Sequence, residues 1–428
     1  SVAADNYPPL HNLLLWLTIP VLGDSEIALR LPSAVTGVIS IWLIYALGKL
    51  VFGRKPGLLA AFLLTLSPFH IWYSTEARMY ALFAATGLAF LIALVKTLKG
   101  GGGRWMALTA MFGAFFLYSH IYAAFAVTAV GTSLLWCLGA GGRRNRSSSE
   151  IDGLRQSVLA VLAAAFLFLP WFIILMTRAT DVVSNGFWIA YPDLSFLKVM
   201  ARDMAGSELL FLFLLCLNLI CMGSVFLGKQ KEDTHRQSIA ILAAFTFGPF
   251  LIAYVLSIAL RPILFDRYLI ASWPVFLLLA SAGTCRLGPK YGPAALITVT
   301  LALTFQPLTF TVQEKIRPEW RKVASIYLEE SHQGAPLLLY KGFANPALKY
   351  YRRQPDGIHP VRTPADLPNL AERSEVWLVL AHSSEAEMTN FIKQMPVGFK
   401  EMERWKSFGW GASGLTLLRY QRTGPAPR

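Results

Sequence analysis

This sequence predicts an all-α polytopic membrane protein carrying a small C-terminal α/β domain, and three observations predict it. Apolar residues fill 55% of the 428 positions and charged residues only 15%, whereas soluble domains average about 25% charged. The apolar residues gather in repeated runs of the length a helix needs to cross a hydrocarbon layer, about 20 residues. After residue 312 the runs shorten and the charges return to the density of a soluble domain.

Taken in order, the spans fall roughly at 30–52, 57–73, 79–95, 105–119, 121–139, 157–177, 208–227, 238–260, 268–285 and 293–311, about ten in all. The stretch 10–22 is too short to span and is bounded by proline, so it reads as a re-entrant or interfacial helix. Beyond 312, PLLLYKG, EVWLVLAH and GLTLLRYQR read as strands by length and bounding turn residues. WRKVASIYLEES, NPALKYYRR and EAEMTNFIKQM between them have helical spacing. The expected division is thus a transmembrane domain at 1–311 and an α/β domain at 312–428.

The formal net charge of +14 raises nucleic acid as a partner until its distribution is read. One set of loops is strongly basic: Lys49, Arg54 and Lys55; Lys96, Lys99 and Arg104; Arg143, Arg144, Arg146 and Arg155; Lys229, Lys231 and Arg236; Arg286 and Lys290. The alternate set mixes fewer bases with acids such as Glu76, Asp193, Asp203 and Asp266. By the positive-inside rule the first set is cytoplasmic, so much of the charge is a topology signal and nucleic acid is excluded. The same rule places residue 1 and the C-terminal domain outside a plasma (inner) membrane, and leads us to expect a further span ahead of Ser1. The four cysteines lack CxxC spacing and lie in or beside apolar runs, which reads as buried structural thiols.

Polar residues at the outer ends of the spans carry the functional information. In SPFHIWYSTEARMYAL, Glu76 and Arg78 follow one span and precede the next. They read equally as a salt-bridged turn or as groups facing an aqueous cavity at membrane depth. In RPILFDRYLIASWP, Arg261 and Arg267 suit a phosphate, because guanidinium binds its oxygens bidentately. Snorkelling of the same side chains to the interface is the equal alternative. His120, in FLYSHIYAAF, reads first as a hydrogen-bonded residue at a helix end and second as a metal ligand. Pro8 and Pro9 hold DNYPPL extended and present Asp5 above the short helix. Together these groups favour a lipid phosphate bound at the outer leaflet.

The runs DNYPPLHNLLLWL, LRLPSAVTGVISIWLIYALGKLVFG and GLLAAFLLTLSPFHIWYSTEARMYAL resemble the polytopic glycosyltransferases of GT-C fold. They are most similar to the bacterial relatives of the dolichyl-phosphate-mannose protein mannosyltransferases, which also resemble the lipid A aminoarabinose transferases. YSHIYAAF, LPWFI, FDRYLIASWPVFLLLA and RPEWRKVASIYL extend the likeness. The resemblance implies inverting transfer of a sugar from a polyprenyl-phosphate donor to a lipid, glycan or protein acceptor at the outer face. It implies catalytic roles for Asp5 and Glu76, and substrate-binding roles for Arg78, Tyr80, His120, Arg267 and Tyr268. Some members hold a divalent cation, for which Asp5 and His120 are the candidates here. In the family a carboxylate of an Asp-Glu pair usually lies well ahead of the PPL motif, and this sequence begins too late to show that pair. A transporter or lipid flippase is the rival class, and an inactive structural relative the third reading. Against a transporter, the ionisable groups sit at helix ends and not at mid-span.

Overall fold

The computed structural model describes residues 7–139, 147–184, 189–227, 233–288, 290–313, 319–332, 335–340 and 345–352. It also describes 357–423, apart from 362, 364–365, 369, 371–372, 382, 397 and 408–413. The chain divides into two compact units, Ser1–Thr311 and Val312–Arg428.

The first unit is helical. Helix α1 (Leu10–Leu22) buries His11 and exposes Trp16, Leu17 and Val21, as suits a short apolar helix at an interface. Helix α2 (Glu26–Val51) starts where Ser25 accepts the Ala28 amide, with Glu26 in the first turn. It crosses α3 (Arg54–Thr65) so closely that a Cβ on Gly48 would lie 2.5 Å from the Gly57 Cα. α3 turns through 65° into α4 (Pro68–Ser74). Ser67 sits at that corner, capping the His70 amide and accepting Trp273 Nε1–H at 2.9 Å. α5 (Tyr80–Leu98) is largely enclosed by its neighbours. Its Gly87 admits the Phe116 ring, which stacks with Phe83 and Phe245.

Helices α6 (Gly102–Leu117), α7 (Ala123–Gly139) and α8 (Ser148–Ser184) follow. α9 (Leu194–Ala205) bends 83° into α10 (Glu208–Leu227) at Gly206, whose φ of 83° is the left-handed geometry glycine adopts freely. α11 (Asp233–Ala259), a 3-10 turn at Asp266–Leu269, the buried α12 (Ser272–Leu287) and α13 (Gly292–Gln313) complete the unit.

All ten predicted spans are helical, yet among the described residues five helices are long and apolar enough to cross a membrane, or seven if each bent pair counts as one. The difference is one of length: α6, α7 and α12 have 16, 17 and 16 residues. Two cysteines also differ from expectation, Cys216 being exposed on α10 and Cys285 partly so, while Cys137 and Cys221 are buried.

The second unit is an α/β sandwich. Strands β1 (Leu337–Tyr340), β2 (Ile358–Val361), β3 (Glu375–Ala381), β4 (Phe399–Ser407) and β5 (Leu415–Arg422) lie in the order β2-β1-β3-β5-β4. β1 runs parallel to β2 and β3, and β5 antiparallel to β3 and β4. Helices α14 (Trp320–Glu330), α15 (Asn345–Arg352) and α16 (Glu385–Ile392) complete it. Alternation along β3 splits the core: Trp377 and Val379 pack with Val323 and Tyr327, while Val376, Leu378 and Leu380 pack with Phe391. The three expected strands and three expected helices are present, and β2 and β4 are additions. β2 is four residues with a proline, and β4 reads FKEMERWKS, so neither has an apolar strand pattern.

Candidate functional site

A cluster of rings and charges gathers where the loops α4–α5, α6–α7 and α11–α12 meet. Its centre is His120, only 1% exposed. Phe83 stacks on the imidazole at 4.8 Å, and Tyr268, Tyr122, Tyr80 and Tyr7 lie with ring centroids 5.1, 5.7, 6.0 and 6.2 Å away. His120 Nδ1 accepts the Tyr122 amide at 3.1 Å. The neutral ring therefore carries its proton on Nε2, which has no partner among the described residues. Burial, with the positive charge of Arg267, pushes the imidazole down to about 3, so it stays neutral at physiological pH.

Arg267, in the 3-10 turn, lies over the Phe265 ring at 4.7 Å and near Tyr268 at 5.6 Å. Beside it, burial pushes the Asp266 carboxyl up to about 6, and its Oδ1 has no hydrogen bond among the described residues. Asp203 on α9 adds a repelling charge to Asp266 and also keeps an enclosed oxygen with no hydrogen bond among the described residues. Tyr80 is fully enclosed at the start of α5. Its hydroxyl has no hydrogen bond of good geometry, although the Arg78 guanidinium approaches it.

Glu76 and Arg78 form an ion pair at 3.5 Å, and Ser33 Oγ–H holds the Arg78 carbonyl at 3.0 Å. The geometry is that of a salt-bridged turn, placed so that Arg78 also faces the cluster. Arg78, Tyr80, His120, Arg267 and Tyr268 are thus brought together, with Glu76 at the edge through Arg78. Asp5 lies outside the described residues. Tyr7, two positions on, reaches His120, and the chain after it docks where Leu10 N–H meets the Tyr118 carbonyl at 3.1 Å. Tyr7, Tyr122 and Asp203 belong to the cluster without any mark in the sequence as site residues, and Asp266, which the sequence groups with Arg261, Arg267 and Tyr268 at an outer helix boundary, joins them. The sequence signal for Tyr122 is its adjacency to His120.

His120 does not fit a metal site. To coordinate through Nε2 the ring would need its proton on Nδ1, where the Tyr122 N–H already points. Among the described residues no three His, Cys, Asp or Glu side chains gather as a cation site.

Residues 6–174 match the family model described as dolichyl-phosphate-mannose-protein mannosyltransferase. ArnT from Cupriavidus metallidurans, in the apo state, superposes with a TM-score of 0.60 at 11% identity, covering 97% of this chain and 87% of that one. The chain has the GT-C fold. The same GT-C architecture is seen in the archaeal oligosaccharyltransferase AglB from Archaeoglobus fulgidus, solved with an inhibitory peptide and a dolichol-phosphate. That match has a TM-score of 0.55 at 10% identity and covers 87% of this chain and 61% of the other. An apo structure of the Archaeoglobus fulgidus oligosaccharyltransferase gives 0.55 at 11% identity, over 88% and 62%. This chain spans about three fifths of that enzyme's length. A comparison with curated proteins finds no match. The protein is therefore a multi-pass membrane protein with a glycosyltransferase fold. The family match takes in Glu76, Arg78, Tyr80 and His120 and stops short of Arg267 and Tyr268.

Proposed function

We propose that the protein is a membrane glycosyltransferase that moves a sugar from a polyprenyl-phosphate donor to an acceptor at the outer face of the plasma (inner) membrane. One observation carries the reading. Arg267, Arg78, the His120 Nε2–H and the Tyr80 hydroxyl lie in one cluster as hydrogen-bond donors. The His120 Nε2–H has no partner among the described residues, and the Tyr80 hydroxyl, approached by Arg78, has no hydrogen bond of good geometry among them. Buried donors left unpaired cost about 1–3 kcal/mol each, and a phosphate oxygen would satisfy them. The match of residues 6–174 to a family acting from dolichyl-phosphate-mannose, and the dolichol-phosphate in the AglB structure, support the same donor chemistry.

In this reading Arg267 and Tyr268 hold the donor phosphate, with Arg78, Tyr80 and His120 completing its surroundings. A carboxylate, Asp5 or Glu76, aligns or deprotonates the acceptor hydroxyl, which attacks the anomeric carbon in line with inversion. The bond to the lipid phosphate breaks with its electron pair, and the guanidiniums stabilise the charge that develops on the departing oxygen. Residues 1–311 are the transferase domain, and 312–428 an α/β domain on the outer side. Transfer from a radiolabelled polyprenyl-phosphate sugar tests the assignment. Glu76→Gln and Arg267→Ala should each abolish it while the protein stays folded in detergent, and activity retained in both would refute the site.

A further inference from the structure

Arg267 is carried by a segment with no regular structure of its own, between the end of α11 at Ala259 and the 3-10 turn at Asp266. Two side chains from different helices and loops hold that segment. Ser257 in the last turn of α11 is fully buried, and its Oγ accepts both the Ile263 and the Leu264 amides at 2.9 Å. Other helical hydroxyls here, such as Ser238 and Thr246, bond back to the carbonyl four residues earlier. Ser257 instead turns its oxygen to the segment. From the α6–α7 connection, Tyr122 is 4% exposed and its hydroxyl donates to the Ile263 carbonyl at 2.5 Å. Both backbone groups of Ile263 are therefore engaged by side chains.

Tyr122 has a second task. Its amide is the donor that fixes His120 with the proton on Nε2, and its ring lies 5.1 Å from Tyr268. One residue thereby sets the height of the segment leading to Arg267 and the direction in which His120 donates.

We propose that Tyr122 and Ser257 are positioning residues of the lipid-phosphate site, clamping the Ile263–Leu264 backbone so that Arg267 and His120 converge on one phosphate. The inference rests on the donor reading above and deepens it: the clamp touches no substrate and acts through Arg267. A clamp needs a fixed length, so removing either hydroxyl lets the guanidinium drift while the helices keep their packing.

The test uses the full chain in detergent with a sugar-free polyprenyl phosphate as the probe, binding and thermal unfolding being measured on the same samples. Tyr122→Phe, which removes one hydrogen bond, and Ser257→Ala, which removes two, should each weaken binding about tenfold or more. Ser257→Thr, which keeps the hydroxyl, should bind within about twofold of the native chain. In an Arg267→Lys background, where the bidentate contact is already gone, Tyr122→Phe should add little further loss. Strict additivity would show the two acting independently and overturn the proposal. A melting temperature that falls with the probe affinity unchanged would mark Tyr122 and Ser257 as merely structural, also overturning it. If Tyr122→Phe fails to fold, the Ser257→Ala and Ser257→Thr pair decides the matter alone. Arg267→Ala separates the two levels. If it binds the probe like the native chain, the donor reading falls and the clamp with it. If it loses the probe while Tyr122→Phe and Ser257→Ala keep it, only the clamp falls.

Discussion

The two units bury charge in opposite ways. In the C-terminal unit Glu375, 4% exposed, accepts Arg419 Nε at 2.6 Å, Trp377 Nε1 at 3.1 Å, and both the ring Nδ1 and the amide of His332 at 2.6 and 3.1 Å. Burial pushes that carboxyl up, but the His332 hydrogen bonds and the Arg419 guanidinium outweigh it and hold it below the usual range. In the helical unit His120, Tyr80 and Asp266 keep buried polar atoms without a well-formed hydrogen bond among the described residues. One cluster is closed by its own chain. The other leaves donors and acceptors without partners among the described residues, the pattern that motivates the proposed lipid-phosphate site.

The sharpest way to break this comparison is Arg267→Ala. Loss of a principal charge-stabilising donor should take transfer from a polyprenyl-phosphate sugar below detection, a loss of at least about 10²–10³, while the unfolding profile is little changed. Next, Glu375→Ala should destabilise the C-terminal unit by about 3 kcal/mol, because it strands Arg419 and Trp377 Nε1. Calorimetry would show the loss, and binding of a polyprenyl phosphate should not change. Since the Glu375 carboxyl is depressed in the folded chain, its contribution is present above about pH 4 and fades as the pH falls below it.

Asp266→Asn should do the reverse. The native carboxyl, raised to about 6, binds more protons folded than unfolded between about pH 4 and 6. Stability therefore falls as the pH rises through that window, and the full cost remains above it. Asparagine should remove the slope and stabilise the chain at pH 7 by on the order of 1 kcal/mol; an unchanged slope in chemical unfolding between pH 4 and 7 would tell against the assignment. Smallest of the four, His120→Gln keeps a donor in a similar place and should weaken polyprenyl phosphate binding by less than about tenfold. Its binding should show no new pH dependence between pH 5 and 8, because the native ring is already neutral there.

Much of the fold is legible because lipid leaves the chain little choice. Long apolar runs must be helices, and the change in composition near residue 312 coincides with the division into two units. The bends are not legible. Ser67 and Gly206 break two runs by cap and left-handed geometry that the surrounding hydropathy conceals. Nor are β2 and β4, whose sequences lack the alternation of a strand. The charged ends of the spans point to Arg78, Arg267 and His120. Their meeting is tertiary: Tyr122 and Ile263 are 141 positions apart, and a hydrogen bond of that range leaves no local pattern. Pairing also changes a reading. Adjacency makes Glu76 and Arg78 either a turn or a site, and the structure gives them turn geometry while leaving Arg78 turned to the cluster.

The rims of the small sheet have a consequence for how copies of the chain live side by side. A protein held in a membrane meets its neighbours in two dimensions, where encounters are frequent and unpaired strand edges invite zipping. β2 offers Pro360, which has no amide hydrogen to give, opposite its register with Leu339. β4 offers Lys400, Glu401, Glu403, Arg404 and Lys406, with an irregularity between Glu401 and Glu403 that spoils a straight edge. Both rims are therefore poor templates for strand pairing with another copy of the domain.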